Sequence, residues 1–138
     1  MPSIKVQWIE GLYVKGISSS GHRVPLEGAT GDNRGFLPSE MLLVALGSCT
    51  TMDIVSLLKK FNTELRSFHV ELAGEKNSEH PKSFRDITAI YHLTGDITPE
   101  QAWKAVSSSY NKFSVVANSL RVDVQYRILL NGQEVIGK

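Results

Sequence analysis

The sequence predicts an α+β fold, with largely antiparallel sheets, a long central helix and a second, shorter helix. Three observations carry the prediction. The stretch from Pro38 to Phe61, PSEMLLVALGSCTTMDIVSLLKKF, repeats its apolar residues at three- and four-residue steps, the period of a helix. Runs on either side of it alternate apolar and polar residues with the period of two that marks strands. A second helix start, Thr98-Pro99-Glu100-Gln101, stands between two such strand regions. The resulting order is β-β-β, α, β-β, α, β-β, and 138 residues with 41% hydrophobic content fit a single domain, residues 1–138.

Ile4 to Ile9 and Leu12 to Ile17 are β-rich runs separated by Glu10-Gly11, a hairpin pattern. Ser18 to Gly21 offers a turn, and His22 to Leu26 returns as an edge strand, because Pro25 cannot donate to a central ladder. Glu27 to Phe36, EGATGDNRGF, has no apolar period and reads as a mobile surface loop. Pro38 then suits the first position of the central helix, Glu40 its positive end, Lys59 and Lys60 its negative end, and Asn62 its stop. Met41, Val44 and Ala45 widen the apolar stripe, so the first half of this helix is expected to be buried nearly all round.

Beyond it, Phe68, Val70 and Leu72 alternate with His69, Glu71 and Ala73, and Ile87, Ala89, Tyr91 and Leu93 alternate with Thr88, Ile90, His92 and Thr94, giving two long strands. Between them a polar stretch turns at His80-Pro81. Thr98, Pro99 and Gln101 have the spacing of a capping box, and Ala102, Trp103, Val106, Tyr110 and Phe113 form the apolar stripe of the second helix. Ser114 to Ser119 is a connector of no definite type. Val122 to Leu130 alternate into Asn131-Gly132, the favoured pair for a tight hairpin, with Glu134 to Ile136 as the return strand.

Composition removes several function classes. Fifteen Lys and Arg against fourteen Asp and Glu leave a charge of +1, without the basic excess that a nucleic-acid partner requires. Asp53 and the hydroxyl residues Ser48, Thr50, Thr51 and Ser56 interrupt the apolar stretch, which argues against a membrane span. A lone cysteine and an N-terminus, MPSIKVQWIEG, that lacks a signal-peptide pattern place the chain in the cytoplasm as an expectation. His22, His69, His80 and His92 lie far apart in sequence, so no metal site is expected, and His69 and His92 read as exposed or cross-strand paired. The loop around Gly31-Asp32-Asn33-Arg34-Gly35 lacks the lysine of a phosphate loop, no dinucleotide fingerprint follows a strand, and no cofactor is expected.

That leaves Cys49, the single cysteine, among small residues near the middle of the long helix. A free cysteine is often only a small buried hydrophobe. To act as a nucleophile it must be a thiolate, and an ordinary thiol titrates near pH 8.5. Cys49 stands about ten residues past the helix start, beyond the reach of the helix dipole, and Asp53, one turn on, opposes a negative sulfur. Activation has to come from outside the helix, and Arg23 and Arg34 are the candidate cations.

The stretch Pro38-Ser39-Glu40-Met41-Leu42-Leu43-Val44-Ala45-Leu46-Gly47-Ser48-Cys49-Thr50-Thr51-Met52-Asp53 resembles the central helix of the OsmC/Ohr family, the osmotically induced and organic hydroperoxide resistance proteins. His80-Pro81 with Phe84, Gly95 before the second helix, and Tyr110 to Leu120 are similar to its later landmarks. The resemblance implies an OsmC-like fold, a cytoplasmic homodimer of intertwined subunits, and reduction of organic hydroperoxides by a thiolate at Cys49, which becomes a sulfenic acid. The family's resolving cysteine corresponds to Ser114, so the oxidised cysteine would be reduced by an external thiol. Ohr members carry a glutamate directly after the helix-starting proline to orient an essential arginine; here that position is Ser39 and the acid is Glu40. The candidate site is Cys49, from the resemblance, with Arg23 from the two candidate cations and the shifted acid Glu40. Two other readings remain open: a dimer that binds or senses a small molecule without turnover, and a structural cysteine.

Overall fold

A computed structural model describes residues 3–137. The elements are β1 (Ile4–Glu10), β2 (Tyr13–Ser18), β3 (Arg23–Glu27), α1 (Pro38–Lys60), β4 (Glu64–Lys76), β5 (Phe84–Asp96), α2 (Pro99–Ser108), a π-helical turn (Ser109–Phe113), α3 (Val115–Ser119), β6 (Val124–Leu130) and β7 (Gln133–Val135). This is the expected α+β order, with the untyped connector, Ser114 to Ser119, resolved into a capped short helix and the end of the expected second helix into a π-turn. The chain forms two compact units, one up to Val44 and one from Ala45 onward.

In the first unit β1, β2 and β3 make an antiparallel sheet in that order. β3 is an edge strand, and Pro25 sits in it opposite Lys15. Glu27 to Phe36 is not the loose loop its composition predicts. Glu27, 2% exposed, accepts the backbone N–H of Arg34 at 2.8 Å and its guanidinium at 2.8 and 3.1 Å, while Leu26 bridges to Phe36. A buried carboxylate that lacked this partner would be costly, so the ion pair holds the loop closed.

The ends of α1 reflect local chemistry. Glu40 Oε1 accepts the N–H of Leu37 at 2.9 Å, satisfying a donor that has no partner within the helix. At the other end Asn62 is left-handed, with φ 58°, and donates to Lys59 O while Thr63 donates to Leu58 O. That pair of bonds is a Schellman stop.

In the second unit the sheet order is β4-β5-β6-β7. β4 and β5 pair antiparallel over their length, β6 returns parallel to β5 after α2, and β7 folds back through Asn131-Gly132, both with positive φ. The single parallel pair is imposed by the intervening helices, because a strand that returns through them enters from the same end. Ile54 and Leu58 of α1 share a core with Ala89, Tyr91 and Leu93 of β5, Ala102, Ala105 and Val106 of α2, and Ile128 of β6. Each of the larger aliphatic side chains contributes about 1.5–3 kcal/mol by leaving water.

The expected all-round burial of the first half of α1 does not occur within the chain: Leu42 and Val44 are exposed, as are Met52 and Val55 further along. Only the stripe Leu46, Gly47, Thr50, Ile54 and Leu58 is enclosed. By length and composition α1 could cross a membrane. The buried stripe and the core it joins instead make it a packed helix.

α2 opens with the expected capping box: Thr98 Oγ1 accepts from Gln101 N, and Gln101 Oε1 accepts from Thr98 N. Its apolar stripe stops short. After Ser108 the helix widens so that Ser114 N donates to Ser109 O at 2.7 Å, and Phe113, expected inside, is 46% exposed. The extra residue in the π-turn rotates the side chains beyond it around the helix axis.

Candidate active site around Cys49

Cys49 lies on the flank of the buried stripe of α1, half-buried and free. Opposite it stands the end of the second helical segment. Ser114, 1% exposed, donates its hydroxyl to Cys49 Sγ at 3.3 Å and accepts the N–H of Ala117 at 3.1 Å as the cap of α3. Because the backbone amide occupies an oxygen lone pair, the hydroxyl proton remains for the sulfur. One turn along α1, Asp53 Oδ2 accepts the hydroxyl of buried Ser109 at 3.0 Å.

Two serines five residues apart thus contact two α1 side chains four residues apart. The π-turn supplies that match, since its i to i+5 bond runs between the same two serines.

Thr50, adjacent to Cys49, anchors a hydroxyl chain. Its Oγ1 donates to the carbonyls of Leu46 and Gly47, so it accepts from Tyr91 at 2.7 Å, and Tyr91 in turn accepts from Tyr110 at 2.6 Å. Burial raises the Tyr91 and Tyr110 phenols above their ordinary range and keeps both protonated as donors. Tyr110 stacks on Tyr126, which meets Trp103. A cleft of about 450 Å³ opens beside the π-turn, lined by Tyr110, Ala117, Asn118, Leu120, Val124 and Tyr126 among others.

The other sequence candidates lie in the first unit. Arg34 is held by Glu27, by Glu10 at 3.0 Å and by Asp32 at 3.7 Å, and it stacks on Tyr13. The hydrogen bonds from Arg34, its guanidinium first, lower the Glu27 carboxyl from 4.5 to about 2, and Glu27 and then Glu10 raise the guanidinium. Arg23 is an exposed residue at the start of β3. Glu40 caps α1, and among the described residues none of the ion pairs of Arg34 is with Glu40.

Sequence reasoning identified Cys49 and Ser114 but missed Ser109, the Thr50–Tyr91–Tyr110 chain and the use of Asp53. The hydroxyl run Ser107-Ser108-Ser109 was the available signal, and nothing in linear spacing marks a π-turn. The expected cross-strand pairing of the two strand histidines is observed, and it brings a carboxylate with it. Register pairs His69 with His92 across β4 and β5, and Glu71 joins them, because strands fold distant positions onto one face.

Comparison with known proteins agrees with this architecture. Residues 31–128 match a family described as OsmC-like protein. Protein YhfA of Escherichia coli is 36% identical over 114 residues, 82% of this chain and 84% of that one. The crystal structure of an OsmC like protein from Mycoplasma pneumoniae superposes with a TM-score of 0.84 at 13% identity, covering 94% of this chain and 96% of that one. The organic hydroperoxide resistance protein OhrB of Bacillus subtilis superposes with a TM-score of 0.62 at 17% identity, covering 94% and 98%. The two structures speak to the fold, whereas the family match and the Escherichia coli relative speak to descent. The chain belongs to the OsmC-like family.

Proposed function

We propose that the protein is a cytoplasmic, homodimeric thiol peroxidase that reduces organic hydroperoxides at Cys49. The observation that carries the proposal is the hydroxyl of Ser114 directed at Cys49 Sγ at 3.3 Å. The contact holds the sulfur toward the end of the second helical segment, and it is the thiolate form that attacks. The thiolate takes the terminal peroxide oxygen, the O–O bond breaks, and the alkoxide leaves to be protonated as the alcohol, which leaves a sulfenic acid on Cys49. One equivalent of external thiol condenses with it to a mixed disulfide and water. A second equivalent releases the Cys49 thiol and departs as the reductant's disulfide. Ser114 cannot form the internal disulfide a cysteine would, so the external route is required.

Of the two candidate cations, Arg34 is committed to carboxylates, which leaves Arg23 for the peroxide oxygen, while Glu40 serves as a helix cap. Exposed apolar side chains on β1 (Ile4, Val6, Trp8) and on α1 (Leu42, Val44, Met52, Val55) support a second copy as partner.

The test compares consumption of cumene hydroperoxide by the protein and by Cys49→Ser, with a dithiol as reductant. The reading expects turnover that depends on Cys49 and falls in Arg23→Gln. Equal, slow consumption by protein and Cys49→Ser removes it and favours the binding reading.

A further inference from the structure

We propose that His69, Glu71 and His92 form a binding site for a divalent transition-metal ion of the zinc class on the face of β4 and β5 opposite the core. The site is separate from Cys49 and does not rest on the peroxidase reading. His69 and His92 are register partners, and alternation puts both on the opposite face from Phe68, Tyr91 and Leu93, which pack in the core. Glu71 follows His69 by two residues and so shares its face. One ligand atom from each of the three lies within 4.8 Å of the others, and Glu71 Oε1 is 2.7 Å from His92 Nε2.

The donor chemistry fits. Two imidazole nitrogens and a carboxylate oxygen are what zinc accepts at about 2.0–2.2 Å, with a fourth, open position left for water. Around a tetrahedral ion such atoms stand roughly 3.3 Å apart, from those bond lengths. Closing from 4.8 Å to that spacing needs only side-chain rotation, which exposed His69 and Glu71 can make. The imidazole rings now stack with centroids 4.3 Å apart and planes 7° from parallel. An ion would splay them, because it must lie in the plane of each ring.

The backbone beneath is well suited to hold such a site. β4 and β5 are each 13 residues long and pair over nearly their whole length. On the same face Arg127 is paired with Glu134 at 2.8 Å, so its charge is compensated. The alternative is a histidine stack with one carboxylate contact and no affinity for metal.

Zinc alone is the probe, added to the full chain after chelator treatment and followed by competition with a chromophoric chelator. We expect one ion per chain, affinity at least tenfold weaker in His69→Ala and in His92→Asn, weaker in Glu71→Gln, and unchanged in Cys49→Ser. Zinc should also raise the melting temperature of the protein and not of the histidine variants, since a ligand that binds only the folded state stabilises it. Circular dichroism establishes that each variant is folded. No binding, binding unchanged in both histidine variants, or binding lost in Cys49→Ser overturns the proposal.

Discussion

Substituting Ser114→Cys places a second thiol where a hydroxyl now donates to Cys49 Sγ at 3.3 Å. The position is 1% exposed, so the new side chain is directed toward the sulfur rather than toward water. A disulfide needs the sulfurs at about 2.05 Å, an approach that the longer C–S bond and a small rotation provide. The two residues stand 65 apart in sequence. Closing a loop of that length lowers the entropy of the unfolded chain by the equivalent of about 4 kcal/mol. Against this, the Ala117 amide loses its capping oxygen, at a cost of about 1 kcal/mol. The oxidised variant should therefore be more stable than the reduced one by up to about 4 kcal/mol, and more stable than the parent by about 3 kcal/mol. In the assay, reduced Ser114→Cys receives one equivalent of cumene hydroperoxide and its thiols are counted under denaturing conditions. Both thiols should vanish into an intramolecular bond that a dithiol reverses, while the parent gives a sulfenic acid that dimedone traps. If the folded variant keeps a thiol, or yields only disulfides between chains, the placement of Ser114 against Cys49 is wrong.

Two buried polar groups give further outcomes. Tyr91→Phe keeps the ring packed on Phe68 but removes a hydroxyl bonded to both Thr50 and Tyr110. Urea denaturation should show a loss of about 1–3 kcal/mol, and a change within about 0.5 kcal/mol would mean the chain of hydroxyls stabilises nothing. The Glu27 carboxyl, held down from 4.5 to about 2, contributes stability that is complete above its unfolded value and is lost as pH falls from about 4.5 toward 2. The melting temperatures of the protein and of Glu27→Gln should therefore differ by a constant amount above about pH 5 and converge below it. A difference that does not shrink on acidification would place the ion pair outside the stability of the first unit.

What the sequence discloses and what it withholds divide along physical lines. The capping box at Thr98, the stop at Asn62 and the turn at Asn131-Gly132 are decided by residues within a few positions of one another, and each forms as its local chemistry requires. The 27–36 loop looked mobile because composition records that Glu27 and Arg34 are charged, not that they meet across seven residues. Likewise, periodicity marks Leu42 and Val44 as apolar without saying what covers them, and within the chain they are exposed. The three strand residues His69, Glu71 and His92 converge only once the β4–β5 register is set.

The site at Cys49 depends on a feature that no propensity reports. Had the helix after Ser108 stayed α-helical, the residue one turn beyond Ser109 would be Phe113, and the side chain presented to Cys49 would be a phenyl ring. The π-turn inserts one residue, turns Phe113 outward and brings Ser114 to the sulfur. Removing one exposed residue from within the turn, Lys112, tests this account. It leaves Ser109 and Ser114 at α-helical spacing and keeps both on the face of α1 that carries Cys49 and Asp53. The deletion should fold, and its Cys49 should react with hydroperoxide at a rate within a few-fold of the parent. Deleting Lys104, exposed in the middle of α2, rotates every later residue by about 100° and should abolish both folding and reactivity. Should the two deletions prove equally damaging, the π-turn is a consequence of packing nearby and not the element that sets the register between the serines and α1.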